Sequence, residues 1–136
     1  MKITFILIAI YLLSFSYCYS QQTITYKIDE DFVYENPEIS PMFKDGVKGY
    51  LSYFRDSLRY PKVAKQNKLT GTVIVKIIIE RDGSISNPII VKSLSKDFDL
   101  EAIRLIKHSP KWNPGIQYGK KIRSSFDCPI EFKLVE

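Results

Sequence analysis

The sequence predicts an α+β fold in which a three-stranded antiparallel sheet, in the order second–first–third, is covered on one face by helices. Three observations lead there. Thr72-Val73-Ile74-Val75-Lys76-Ile77-Ile78-Ile79-Glu80 is almost wholly β-branched and apolar on both faces, as suits a central strand. The turn residues Arg81-Asp82-Gly83-Ser84 follow it, so the next strand returns beside it. Pro88 and Pro129 fall in the second and third strands, and Pro cannot donate to a ladder, which assigns both strands to the edges.

The remaining elements are justified in chain order. Met1-Lys2 precedes an apolar run from Ile3 to Tyr17, too short for a comfortable membrane span of about 20 residues. With Cys18 and Ser20 as the small residues ahead of a cut, residues 1–20 read as a signal peptide; an uncleaved anchor is the alternative. Cleavage removes Lys2, takes the net charge from +5 to +4 and leaves Cys128 as the lone thiol. A lone Cys makes no internal disulfide. Residues 21–41 show no period and are expected as a flexible leader, with a short strand at Thr23–Ile28. The domain proper is expected over 42–136, beginning with a helical extension. Val47, Tyr50, Leu51, Phe54 and Leu58 recur at helical spacing after Asp45, a capping residue, and Tyr60-Pro61 ends that helix. A short helix follows from Pro61 to Gln66.

After the strands at 71–80 and 85–93, Asp97 to His108 is a helix with Leu100, Ile103 and Ile106 as its stripe and Asp97 as its cap. Pro110 stops it. Trp112-Asn113-Pro114-Gly115 and the segment around Gly119 are turns. The last strand, Ile122–Leu134, alternates: Ile122, Phe126, Cys128, Ile130, Phe132 and Leu134 on one face, Arg123, Ser125, Asp127, Pro129, Glu131 and Lys133 on the other.

Composition narrows function. Two Cys and one His cannot supply a closed four-ligand zinc site, and no nucleophile–base pair stands out, so neither a cofactor nor an enzyme is expected. No dense basic run points to nucleic acid. His108 reads as a solvent-facing residue at a helix C-terminus, Cys128 as a buried inert thiol, and Trp112 as a core aromatic. Asp97, Asp99 and Glu101 crowd a helix start, where negative charge is stabilised. Lysines 62, 65, 68, 107, 111, 120 and 121 read as solvated faces, with contact to anionic head groups or cell wall as the alternative.

An ordered set of residues carries a resemblance. Tyr60-Pro61, Ala64, Gly71-Thr72-Val73-Ile74-Val75, Asp82-Gly83, Ser93, the helix from Asp99 to Ile106, Pro110-Lys111-Trp112, Pro114-Gly115, Gly119-Lys120 and the strand from Phe126 to Phe132 follow one another. Over about Tyr60 to Leu134 the chain resembles the C-terminal domain of TonB in its Bacteroidetes form. Residues 41–58 resemble the helical lead of that group, with Lys44-Asp45-Gly46 in place of Pro-Gly-Gly. The resemblance implies protein binding in the periplasm. Such domains engage a short peptide of an outer-membrane transporter and couple it to an inner-membrane energising complex, in support of transmembrane transport. An uncleaved N-terminus anchored in the inner membrane and facing the periplasm suits that coupling role; a cleaved one suits a soluble periplasmic interaction or dimerisation module.

The expected docking site is the outer edge of the last strand. Backbone groups of successive strand residues alternate sides, and Pro129 without its N–H belongs on the side that lacks an internal neighbour. Arg123, Ser125, Asp127, Pro129, Glu131 and Lys133 share that parity and are the expected partner-binding residues. A plain solvent-facing edge, protected by Pro129, Glu131 and Lys133, is the alternative.

Overall fold

The computed structural model describes residues 25–134. The expected signal segment 1–20 lies outside the described residues, as do Thr23 and Ile24 of the expected first strand. Among the described residues no helix is long and apolar enough to cross a membrane.

The elements are β1 (Val33–Tyr34), α1 (Gly46–Ser57), α2 (Lys62–Gln66), β2 (Gly71–Ile79), β3 (Ile85–Lys92), α3 (Lys96–Lys107), β4 (Ile116–Gln117), β5 (Lys120–Lys121) and β6 (Arg123–Phe132). The main sheet has the order β1-β6-β2-β3, and β4 and β5 form a separate hairpin. The expected three-stranded antiparallel sheet is therefore corrected to a mixed sheet of four. Its three long strands are antiparallel in the order β3-β2-β6, and β1 adds a parallel pairing on β6 at Val33↔Arg123 and Tyr34↔Ser124. A two-residue strand has no hydrophobic period to announce it, and a parallel partner about 90 residues away leaves no turn signal.

β2 is central because its branched side chains serve both faces. Val73, Val75, Ile77 and Ile79 are fully buried beneath the helices, while Ile74, Lys76 and Ile78 are half-buried on the open face. β6 adds Cys128, Ile130 and Phe132 to the same core, and α3 closes it with Phe98, Ala102, Leu105 and Ile106. Of the stripe expected on α3, Ile106 is buried and Ile103 is half-buried against the core, but Leu100 is exposed, and Phe98, Ala102 and Leu105 also face inward. The cap is Ser95 rather than Asp97. Glu101 is buried on that inward face, where Arg104 neutralises it at 2.7 Å and the Arg59 backbone N–H donates to it at 2.7 Å.

α1 starts after Asp45, which makes no side-chain cap hydrogen bond, and rests on α3 through the Tyr53 hydroxyl, which donates to the Leu105 carbonyl at 2.8 Å. Three of the five residues of its expected stripe face the core: Phe54 is buried and Tyr50 and Leu58 are half-buried, but Val47 and Leu51 are 73% and 60% exposed. Phe43, Tyr50, Phe54 and Trp112 form an aromatic cluster at tilted or edge-on angles, with centroids 4.5–6.1 Å apart. The β2–β3 turn is fastened to this cluster. Gly83 has φ +83°, its carbonyl accepts from the Trp112 N–H at 2.8 Å, and a Cβ there would lie 2.0 Å from the Trp112 carbonyl oxygen.

Part of the expected flexible leader is knitted to the domain. Beyond β1, Ile39 and Ile116 exchange two backbone hydrogen bonds (3.1 and 2.9 Å), and Met42 and Asn113 exchange two more (3.0 and 2.8 Å). Residues 25–28 form no strand.

Candidate functional site

The candidate site is the outer edge of β6, and its scaffold is the unbroken pairing of β6 with β2. Nine consecutive pairs run from Gly71↔Phe132 to Ile79↔Ser124, so β6 is held along nearly its whole length on one side. On the other side β1 covers only the Arg123–Ser124 end, and no strand of the described residues pairs with Ser125–Phe132 there.

The six expected residues divide along this edge. Arg123 lies at the closed end, against the expectation of an edge free throughout. Its guanidinium donates to Glu80 at 2.7 Å and to the Asp31 carbonyl at 2.9 Å, tying β1's approach to β2. That hydrogen bond holds the Glu80 carboxyl below the ordinary carboxylate range. Ser125 is half-buried and, with exposed Asp127, lines a gap of about 260 Å3 facing residues 35–37 and 40–41. Asp127 stands 4.0 Å from Lys76 on the open face of the sheet. Pro129 is exposed, and its carbonyl accepts from the Tyr50 hydroxyl reaching over from α1. Glu131 and Lys133, both exposed, pair with each other at 2.7 Å. The side chains of these residues lie on the sheet face away from the core; the backbone between them forms the edge.

Beneath the edge the chemistry is inert. Cys128 is fully buried, and burial pushes its thiol up to about 11. The Tyr50 hydroxyl, 3.4 Å from the Cys128 sulfur, is itself raised well above the usual tyrosine value, burial being the largest cause. Trp112 is 4% exposed within the core, and its indole N–H donates to the Ser109 hydroxyl at 3.0 Å. His108 is exposed at the α3 C-cap with Nδ1 2.8 Å from the Arg104 carbonyl. Among the described residues no three of His, Cys, Asp and Glu gather as a metal site would require.

Sequence reasoning missed two contributors. β1 gave no signal, as argued above. The wall that α1 raises beside Pro129–Lys133 depends on where the helix packs, which its heptad-like stripe left unsettled because the same stripe supplies both core and exposed residues.

Among the described residues the domain is an α+β layer with the outer edge of β6 only partly closed. The sequence profile of the Gram-negative bacterial TonB protein C-terminal matches residues 56–134, more than half of the chain, and the chain belongs to that family. The NMR solution structure of the Helicobacter pylori TonB C-terminal domain is similar to it, with 25% identity, 64% of this chain and 78% of that chain covered, and a TM-score of 0.48. No curated protein matches the sequence.

Proposed function

We propose that this domain works in the periplasm by accepting a peptide segment of an outer-membrane transporter as an added strand on the outer edge of β6, in support of transport. One observation carries the reading. β1 has already added itself to that same edge at Arg123–Ser124, and the remainder, Ser125–Phe132, continues without a strand neighbour among the described residues. In this arrangement the backbone supplies affinity and the side chains supply choice. The Pro129 carbonyl accepting from Tyr50 supports the parity argument, because that group turns away from β2. A carbonyl has two lone pairs, so the contact with Tyr50 leaves room for a second donor.

A proline scan tests the reading. Ser125→Pro and Asp127→Pro are expected to keep the fold, as judged by circular dichroism melts, and to abolish binding of a labelled N-terminal peptide from a transporter of the same cell. Ser124→Pro and Phe126→Pro are expected to unfold the domain, since their N–H groups belong to the β2 ladder. Normal binding by the odd-position prolines would sink edge docking on β6.

A further inference from the structure

The β4–β5 hairpin lies against the first described residues of the chain. It turns at Tyr118 and Gly119, both at positive φ (+50° and +71°), as a two-residue hairpin requires. Glu38 fixes the turn, accepting from the Tyr118 N–H at 3.2 Å and from the Gln117 side-chain amide at 3.3 Å. The Tyr118 ring stacks on Tyr26, with centroids 4.1 Å apart and planes 8° from parallel. Both rings stay about half exposed, at 47% and 51%.

Beside the rings is an open hollow of about 810 Å3, lined by Lys27, Arg81, Lys120 and Lys121 against Asp29 and Glu30. The two carboxylates are engaged: Asp29 accepts from the Asp31 N–H at 3.0 Å, and Glu30 pairs with Arg81 at 3.2 Å. Among the described residues no ion pair includes Lys27, Lys120 or Lys121, and all three are exposed. Three unbalanced cations thus lie beside two amphipathic rings, a combination that suits the interface of an anionic bilayer, where tyrosines settle at head-group level.

The course of the chain points to the same occupant. The apolar run Ile3–Tyr17 is separated from Thr25, at the rim of the hollow, only by residues 18–24. That stretch reaches at most about 25 Å, so a membrane holding the run would hold this surface close to its head groups. Every charge of the patch lies after residue 20, and the patch is present with or without the segment before it. Arg81 and Lys121 flank Ile79↔Ser124, the pair at the closed end of β6, and Ser125–Phe132 runs away from them over about 26 Å. We infer that this patch binds the phosphates of anionic phospholipid head groups, with Lys27, Lys120 and Lys121 supplying the charge and the Tyr26–Tyr118 stack resting at the interface. A bilayer there leaves the free length of β6 uncovered.

The test uses the full chain with vesicles of phosphatidylcholine alone or of an equal mixture with phosphatidylglycerol, read by hydrogen exchange of residues 116–121. The anionic vesicles are expected to slow exchange at the hairpin about fivefold relative to neutral ones, the scale of one lysine's attraction to such a surface, and high salt to remove the effect. Lys120→Glu combined with Lys121→Glu, both at exposed positions, is expected to erase it while the β2 amides keep their protection, which reports an intact fold. Lys27→Gln alone is expected to weaken it. The same double reversal at exposed Lys62 and Lys65 on α2, equal in net charge, is expected to change nothing. Equal exchange on both kinds of vesicle, or an effect that the Lys62 and Lys65 reversal also removes, overturns the inference. Protection of the hairpin by inorganic phosphate or by cell-wall sacculi, with none from vesicles, overturns it too and assigns the patch to that ligand. Asp127→Pro is expected to leave the vesicle effect untouched, so this surface and strand docking at β6 stand or fall separately.

Discussion

The sheet has two outer edges, and the chain treats them differently. On β3 the backbone is broken up: Asn87 sits at φ +48°, Pro88 follows it, and the pairing with β2 shifts register between Ile74 and Val75 and again between Lys76 and Ile78. On β6 the register against β2 is continuous through nine pairs, and among the described residues the outer side carries a strand only at Arg123–Ser124, where β1 pairs. A bulge and a proline are the usual means by which a protein spoils an edge for unwanted pairing. β3 has both, although Ile89 and Val91 beside them are half exposed and would reward association. β6 has one proline, and its carbonyl is still presented outward. The difference is one of regularity: β3 is interrupted along its length, and β6 stays straight.

Both edges hang on β2, so the largest effect comes from weakening that strand. Ile77→Ala removes a fully buried side chain and is expected to cost about 2–5 kcal/mol, measured by urea melts. Ile103 and Phe126 are only partly buried, and their truncations are expected to cost less than that of Ile77. Gly83→Ala strikes next, at the β2–β3 turn. Its Cβ would meet the Trp112 carbonyl at 2.0 Å, and the positive φ adds strain, so the turn must move away from Trp112 at a cost of about 2–4 kcal/mol.

A smaller change asks whether the bulge on β3 is held by Asn87. Gly tolerates φ +48° as well as Asn does, whereas a β-branched residue does not. Asn87→Gly is expected to shift stability by less than about 0.5 kcal/mol, and Asn87→Val to cost about 1–2 kcal/mol. An Asn87→Val variant of unchanged stability would mean that the bulge is imposed by Pro88 and the pairing alone.

Much of this contrast could be read from residues. The branched run Thr72–Ile79 has few conformations available besides a strand, and Gly83 in its turn returns the chain beside it. The two prolines then distribute the edges. The docking parity rests on the missing N–H of Pro129, and the proline scan is its test. The helices were harder. α3 carries apolar residues at 98, 100, 102, 103, 105 and 106, which admit more than one stripe, and the face that wins includes Glu101 because Arg104 lies one turn away to neutralise it. For α1 the spacing was right but its consequence was not, since a helix at the margin of a sheet buries only part of its stripe. β1 and the pairings of Ile39 and Met42 rest on backbone hydrogen bonds between distant segments, which side-chain patterns do not encode.

The finest test concerns the closed end of the β6 edge. Arg123 joins the Glu80 carboxylate on one side to the Asp31 carbonyl on the other, so one guanidinium couples β1's approach to β2. Global stability is expected to change little on Arg123→Met, because the pair is near the surface. The local effect is expected to appear in hydrogen exchange: the amides of Val33 and Tyr34 should open about threefold faster or more, while those of β2 do not change. Acid gives an independent handle on the same contact. The Glu80 carboxyl is held below its ordinary value, chiefly by the hydrogen bond from Arg123, so folded Glu80 releases its proton more readily than unfolded Glu80. Its contribution is fully present above the unfolded value, near 4.5, and is lost as pH falls from there through the lower folded value. Protection of Val33 and Tyr34 should therefore fall below about pH 4.5 in the parent, and the Arg123→Met variant should lack this acid limb. If β1 stays protected in that variant at neutral pH, the strand is held by its backbone pairing alone, and Arg123 sets nothing about where the open edge begins.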